Sequence, residues 1–404
     1  MARSACAAER TEADRCPGSL ALHRAQDGWL ARVRIPGGRV TADQLVALSR
    51  GASIGNGLVE LTSRANLQLR GLDAGAGAQL AEIVAEAGLL PSPAHDRARN
   101  VIASPVAGRH PSARGYTDAV VKSIDRSVCA DPALAELPGR FLFAVDDGSG
   151  TALDRFADVV LVCRDDGTYS LALAGQATAD AYPPADAATV AVAAAAAFLA
   201  ERSERGVDAW RIAELEHGAA AIARRIATGI AGPLDGPSGD RLGPGQLEQR
   251  DGRVALTGLA PLGRLDGADL ARLSTIAEEV RIGTGRTVTV LDVEPDAVAM
   301  IEAELASLGL VVQPCSGWVG LSACAGLGRC PQARIDVRSA AIARARTRRP
   351  GAAAEHWAAC ERRCGERADQ PIAVAALRDG VAVRMGESES VASTVADAIA
   401  VLDG

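Results

Sequence analysis

An internal repeat restricts the fold more than anything else in the chain. From Asp27-Gly28 the sequence reads strand, proline–glycine break, helix, strand, helix, and from Asp251-Gly252 the same order returns, displaced by about 224 residues. In the first copy residues 29–35 alternate apolar and basic side chains like a half-buried strand, and Pro36-Gly37-Gly38 interrupts them. Thr41 is then placed to cap a helix from 42 to about 50. A second strand is expected over 58–72 and a helix over about 76–87. In the second copy a strand runs to about 259, the break starts at Pro261, a helix covers 269–280, a strand 286–291 and a helix 295–308. The duplication predicts a pseudo-twofold body.

Each small unit is followed by a larger one. After the first come strands at 141–145 and 159–163 and helices near 190–202 and 207–227; after the second come a strand at 372–377 and a last helix at 391–402. A Gly/Pro-rich stretch reads as a linker. The expected division is 17–90, 91–230, a linker at 231–245, 246–314 and 315–404, in an α+β chain. With 48% hydrophobic and 23% charged residues the composition is that of a soluble protein, and a net charge of −7 argues against nucleic acid and anionic membrane as partners. The Ala-rich run 187–200 is short and meets Glu201, Arg202 and Glu204, so it reads as a packed helix. Residues 1–15 lack the apolar core of an export signal, and a cytoplasmic location is expected.

The chemistry concentrates late. Cys324 and Cys330 stand with five residues between them, Cys360 and Cys364 with three. Two short-range thiol pairs suit a [4Fe–4S] cube, which takes one thiolate per iron. Structural zinc also takes four cysteines, but its pairs usually stand two to four residues apart. Disulfides fit a reducing compartment poorly. The remaining cysteines, Cys6, Cys16, Cys129, Cys163 and Cys315, are scattered and read as small buried groups, with Cys315 kept in view because it lies close in sequence to Cys324.

Earlier in the chain, Leu61-Thr62-Ser63-Arg64-Ala65-Asn66-Leu67-Gln68-Leu69-Arg70-Gly71 places Thr62, Arg64, Asn66, Gln68 and Arg70 on one face if it is a single strand. Such a donor-rich face suits carboxylates; a solvated outer face has the same pattern. Arg99, Asn100 and Arg140 follow in sequence and can converge on it.

These segments resemble the nitrite/sulfite reductase family: Cys324-x5-Cys330-Pro331, Cys360-x3-Cys364-Gly365, the Leu-Thr-x-Arg-x-Asn-Leu-Gln-Leu-Arg-Gly stretch, Arg99-Asn100-Val101 and Leu137-Pro138-Gly139-Arg140-Phe141. The resemblance spans from about Gly18 to Val383. It implies duplicated ferredoxin-like half-domains plus two α/β domains in pseudo-twofold arrangement, and a [4Fe–4S] cluster on Cys324, Cys330, Cys360 and Cys364. It further implies a polycarboxylate macrocycle held by Arg64, Asn66, Gln68, Arg70, Arg99, Asn100 and Arg140. In the reductases that macrocycle is sirohaem, and the position of Cys364 also touches its iron.

The chain departs from the reductases at Arg140-Phe141-Leu142, where they resemble one another in carrying Lys-Phe-Lys; leucine neither donates a proton nor binds an oxyanion. It is more similar to a branch that acts on precorrin-3A in aerobic cobalamin synthesis, in which the macrocycle is substrate. That resemblance implies O2-dependent hydroxylation at C20 with γ-lactone closure, a mononuclear non-haem iron, and an external donor such as a reductase or ferredoxin. His356 is the candidate beside that iron, with a hydrogen-bonded support role for the cluster as the competing reading. A non-catalytic tetrapyrrole-binding iron–sulfur or zinc protein is the third alternative.

Overall fold

In the computed structural model, which describes residues 14–153, 156–234, 242–367 and 369–403, the chain is α+β and the repeat is realised. The first unit holds β1 (His23–Ala25), β2 (Gly28–Val33), β3 (Arg39–Thr41), α1 (Ala42–Ser53), β4 (Leu58–Leu61), β5 (Leu67–Leu72) and α2 (Ala76–Glu86). Thr41 caps α1 as its sequence position implies: its hydroxyl accepts the Gln44 N–H at 3.4 Å, and the Gln44 side chain accepts the Thr41 N–H at 3.1 Å.

The single strand expected over 58–72 is a hairpin. Thr62 Oγ1 accepts the N–H groups of Arg64 at 3.3 Å and Asn66 at 3.1 Å, Ala65 takes φ 55°, and Leu61 pairs with Leu67 across the turn. A threonine hydroxyl serving the backbone locally competes with extended structure, and here it wins. Thr62, Arg64 and Asn66 therefore sit in the turn, whereas Gln68 and Arg70 lie on β5.

The second unit contains β6 (Val101–Ala103), α3 (Asp118–Ala130), β7 (Phe143–Asp146), β8 (Val159–Cys163), β9 (Tyr169–Leu173), β10 (Gln176–Tyr182), α4 (Pro184–Glu204), α5 (Gly218–Arg225) and β11 (Ile230–Pro233). Strands β6, β7 and β8 run parallel and the remainder antiparallel, in the order β11-β10-β9-β8-β7-β6. The helix expected at 207–227 shortens to α5, because Asp158 draws Arg211 and the Ile212 N–H into the sheet edge at 2.6 and 2.7 Å. Although α4 has the length and hydropathy of a membrane span, Ala187, Ala191, Ala194, Ala195 and Phe198 bury its inner face in the domain core. The linker expected at 231–245 begins inside the sheet, since β11 pairs with β10; residues 235–241 of it lie outside the described residues.

The repeat continues with β12 (Gly245–Glu248), β13 (Val254–Leu259), β14 (Arg264–Asp266), α6 (Gly267–Ile276), β15 (Glu279–Gly283), β16 (Thr287–Val293) and α7 (Val298–Ser307). The helix expected to reach 280 stops at Ile276 because β15 claims the residues beyond. The last unit comprises β17 (Leu321–Ala323), α8 (Val337–Thr347), β18 (Glu355–Ala358), β19 (Ile372–Leu377), β20 (Gly380–Met385), β21 (Ser388–Ala392) and α9 (Val395–Asp403), with β17, β18 and β19 parallel.

The two repeats exchange a strand. One sheet has the order β1-β2-β5-β4-β14 and the other β12-β13-β16-β15-β3, so β14 closes the first repeat's sheet and β3 the second's. Between them α1 packs on α6 so closely that a Cβ on Gly267 would stand 2.5 Å from that of Ala52. One apolar core, including Leu48, Val59, Leu69, Leu265, Leu270 and Val288, runs through both. Neither sheet is complete without the other repeat, and this interlock fixes the β4–β5 hairpin relative to the final unit.

Candidate cysteine centre and arginine-lined face

The cysteines lie where parallel strands end. Ala323 at the end of β17 pairs with Trp357 of the adjacent β18, so Cys324 and Cys360 emerge side by side at the C-terminal rim of this sheet, the usual binding edge of parallel strands. Cys324 donates its N–H to Trp357 O at 2.9 Å, and its sulfur accepts the Ala359 N–H at 3.2 Å. Gly326 and Gly328, at φ 78° and 77°, bend the loop so that Cys330 N–H reaches Gly326 O at 3.0 Å. Burial pushes the Cys364 thiol up; nearby Arg362 opposes this, while Cys360, Cys324 and Cys330 each add to it. The Cys364 thiol thus lies within reach of the other three, and none of the four is in a disulfide. Yet among the described residues no group of three or more His, Cys, Asp or Glu is gathered tightly enough for one metal ion. A single zinc and an iron–sulfur cube both take four thiolates. The donor set and the backbone N–H aimed at sulfur fit a cluster.

A hydrogen-bonded series leads from this rim to the hairpin. Arg338 of α8 donates to Ala325 O at 3.2 Å and to Glu60 Oε1 at 3.2 Å. Glu60, on β4, also accepts from Arg264 at 3.1 Å and from Gln68 at 2.9 Å, and Gln68 Oε1 accepts from Arg32 Nη2 at 3.0 Å. Beside Arg32 lie Arg34 and Arg64. For none of Arg32, Arg34 and Arg64 do the described residues supply a carboxylate partner. Among the described residues, Arg32 Nε, Arg34 Nη1, Arg264 Nη2 and Arg338 Nη1 are buried without an acceptor. Burial pushes Arg34, Arg64 and Arg338 down to about 10, which leaves them cationic at neutral pH. Buried guanidinium N–H groups without partners are costly in an isolated chain and become favourable when a ligand brings anionic oxygens.

The residues expected to bind the macrocycle divide into two groups. Arg64 joins the nest, its Nη1 donating to Gly139 O at 3.2 Å, and Gln68 bridges Glu60 and Arg32. The others, Arg140 apart, are committed inside the protein. Arg70 makes a double bond of hydrogen contacts to Asp27 at 2.9 and 2.8 Å, and Arg99 does the same to Asp125 at 2.7 and 2.8 Å. Asn66 and Asn100 bond to each other at 3.1 Å, Asn66 accepts the Ile35 N–H, and Asn100 donates to Gly139 O. Arg140 is exposed and stacks over Trp210 at 4.7 Å from the ring centre.

His356 is fully engaged. Its Nε2 faces Cys364 O at 3.1 Å, and since a carbonyl only accepts, the proton sits there; Nδ1 faces Ser322 Oγ at 2.9 Å. Burial holds the imidazole down to about 4, so it is neutral. This arrangement supports the Cys364 loop and offers no free nitrogen to an iron.

Sequence reading missed Arg32, Arg34, Glu60, Arg264 and Arg338. The alternation of residues 29–35 contained the signal for the first two, since Arg32 and Arg34 are the basic members of that pattern. Glu60 and the others meet only through the exchanged strand β14 and through α8.

The fold is of the nitrite/sulfite reductase type. Residues 23–87 match the nitrite/sulfite reductase ferredoxin-like half domain. The chain is 25% identical to a ferredoxin–nitrite reductase of Synechococcus elongatus over 381 aligned residues, which cover 84% of this chain and 74% of that protein. A segment of 73 residues, 18% of this chain, is 40% identical to a precorrin-3B synthase of Sinorhizobium. The structure of the Mycobacterium tuberculosis NirA protein superposes with a TM-score of 0.75 over 90% of this chain and 78% of that one, at 18% identity, which establishes the shared fold.

Proposed function

We propose that the chain is an iron–sulfur oxidoreductase that binds a polycarboxylate tetrapyrrole in the nest of Arg32, Arg34 and Arg64, with a [4Fe–4S] cluster on Cys324, Cys330, Cys360 and Cys364. The observation that carries this reading is the set of buried guanidinium donors without acceptors, joined through Gln68, Glu60 and Arg338 to the cysteine rim. Bound there, the cluster supplies one-electron transfers. The Ala359 N–H stabilises negative charge on Cys324 sulfur, and the guanidinium groups replace the hydration of the ligand's carboxylates.

Two reactions use such a site. The longer alignment favours a sirohaem-dependent reductase of nitrite or sulfite fed by a ferredoxin, in which the tetrapyrrole is prosthetic. The geometry at residues 140–142 favours precorrin-3A as substrate, hydroxylated with O2 as a precorrin-3B synthase does. Leu142 is 4% exposed with its N–H on Asp158, and Arg140 lies outside on Trp210, so neither presents a cation for an inorganic oxyanion. The short match at 40% identity accords with that second reading. A mononuclear iron belongs to it as well, with ligands other than His356.

Anaerobic purification followed by visible spectroscopy separates the two. Sirohaem bands, with nitrite or sulfite reduction by a reduced ferredoxin, establish the reductase. A spectrum of broad iron–sulfur absorption alone, with O2 uptake on adding precorrin-3A, establishes the hydroxylase. A protein that takes up neither tetrapyrrole refutes the common site.

A further inference from the structure

Residues 14–18 form a strap across the arginine nest, and one thiol lies at its centre. Cys16 sulfur accepts from Arg32 Nη1 at 3.3 Å and from Arg34 Nη2 at 3.3 Å, and its S–H donates to Gly139 O at 3.3 Å. The strap is built into the protein. Asp14 accepts the Gly139 N–H at 2.6 Å and the Cys16 N–H at 3.0 Å, Arg97 Nη1 donates to Asp14 O at 3.0 Å, and Arg34 donates to Pro17 O at 3.2 Å. Gly139 has to be glycine for this contact, since a Cβ there would stand 2.6 Å from the Cys16 Cβ.

A second observation points to an anionic partner at the same place. Arg34 is 1% exposed and spends Nη2 on Cys16 and Pro17, and among the described residues its Nη1 has no acceptor; the same holds for Nε of Arg32. Cys16 itself is half-buried and so reachable. Two guanidinium groups donating to one sulfur place two cationic charges beside any reagent that approaches it, which favours a reagent carrying carboxylates.

We propose that Cys16 is a thiol-exchange site selective for disulfides that carry carboxylates, and that the resulting mixed disulfide closes the arginine nest. In the step, Cys16 gives its proton to solvent and its sulfur attacks one sulfur of the disulfide. The Cys16 S–S bond forms, the reagent's own S–S bond breaks, and the released half leaves as thiolate and is protonated by solvent. Cys16 is oxidised and the departing half is reduced. The attached half brings its carboxylate onto Arg32 and Arg34, where the ligand of the proposed function would bind. This closure rests on the polycarboxylate reading; the thiol selectivity does not.

The test uses the anaerobically purified full-length protein and follows Cys16 by peptide mass spectrometry. Dithiobis(nitrobenzoate), which carries two carboxylates, is compared with neutral dithiodipyridine, each rate being divided by that of free N-acetylcysteine. The proposal predicts about a tenfold preference for the charged reagent at low salt, falling as salt rises and lost in Arg32→Gln. A ratio equal to that of the free thiol, or one unchanged in R32Q, overturns it; the wild-type ratio alone decides if R32Q does not fold. Labelled protein should bind uroporphyrin about tenfold more weakly, with recovery after thiol reduction, and Cys16→Ser should remove this sensitivity. Unchanged binding after labelling overturns the closure. Charge selectivity in a protein that never binds uroporphyrin refutes the polycarboxylate reading and leaves the thiol site standing.

Discussion

Replacing Glu60 by glutamine removes the one carboxylate that ties the first repeat, the exchanged strand and the final unit together. Glu60 is 9% exposed and accepts from Arg264 at 3.1 Å, Arg338 at 3.2 Å and Gln68 at 2.9 Å, with Arg70 Nη1 at 4.0 Å. A neutral amide keeps the shape and one acceptor, but turns the other oxygen into a donor facing groups that also donate. Two charge-assisted bonds at about 1.5–3 kcal/mol each are weakened, and uncompensated guanidinium groups are left in a low-dielectric region. Because Arg264 retains some solvent, the lower end applies, and Glu60→Gln should lower stability by about 3 kcal/mol. Denaturant unfolding followed by tryptophan fluorescence measures this through the midpoint at constant slope. A polycarboxylate ligand supplies the missing negative charge, so uroporphyrin should stabilise E60Q more than the wild type. A loss below about 0.5 kcal/mol would show that Glu60 is not the counter-charge of this face.

Arg64 and Arg99 should separate in their effects. Arg64→Ala should weaken uroporphyrin binding by about 1.5–3 kcal/mol with little change in unfolding, whereas Arg99→Ala, which strands Asp125, should lower stability by about 3 kcal/mol; equal binding losses would contradict the division made here. Arg281 of β15 grips Asp118 of α3 at 2.7 and 2.7 Å. Burial alone would raise the Asp118 carboxyl, but these bonds and the Arg281 charge outweigh it and hold it below the ordinary carboxylate range. Its stabilisation is therefore complete above the ordinary carboxylate pKa of about 4 and is lost as pH falls through the lower folded value. Asp118→Asn should flatten the acid limb of the stability curve below that pH, and an unchanged acid limb would refute the assignment. Cys330→Ser should abolish the broad iron–sulfur absorbance; full retention would remove Cys330 from the ligand set.

The repeat, the helix cap at Thr41, the strand at Val159–Cys163 and the strand at Ile372–Leu377 were legible in the sequence because each rests on local pattern. What escaped was long-range. Alternation alone extended the strand through Thr62, where a side-chain hydroxyl bends the backbone into a turn, and it placed Arg70 on a binding face although Asp27 claims it; the resemblance added Arg99, which Asp125 claims. No pattern within one segment announces a partner in another. The exchange of β3 and β14 is likewise invisible in the sequence, since each is a three-residue strand. It nonetheless brings Arg264 to Glu60. At the cysteines the spacing named the four sulfurs, while the parallel pairing that sets Cys324 beside Cys360 emerged only from the sheet.

The account stands on an iron–sulfur cube held by four late cysteines at the rim of the last sheet. Iron and acid-labile sulfide analysis of the anaerobically purified protein tests it most directly. About four iron and four sulfide per chain are predicted; one zinc per chain with no labile sulfide would contradict it.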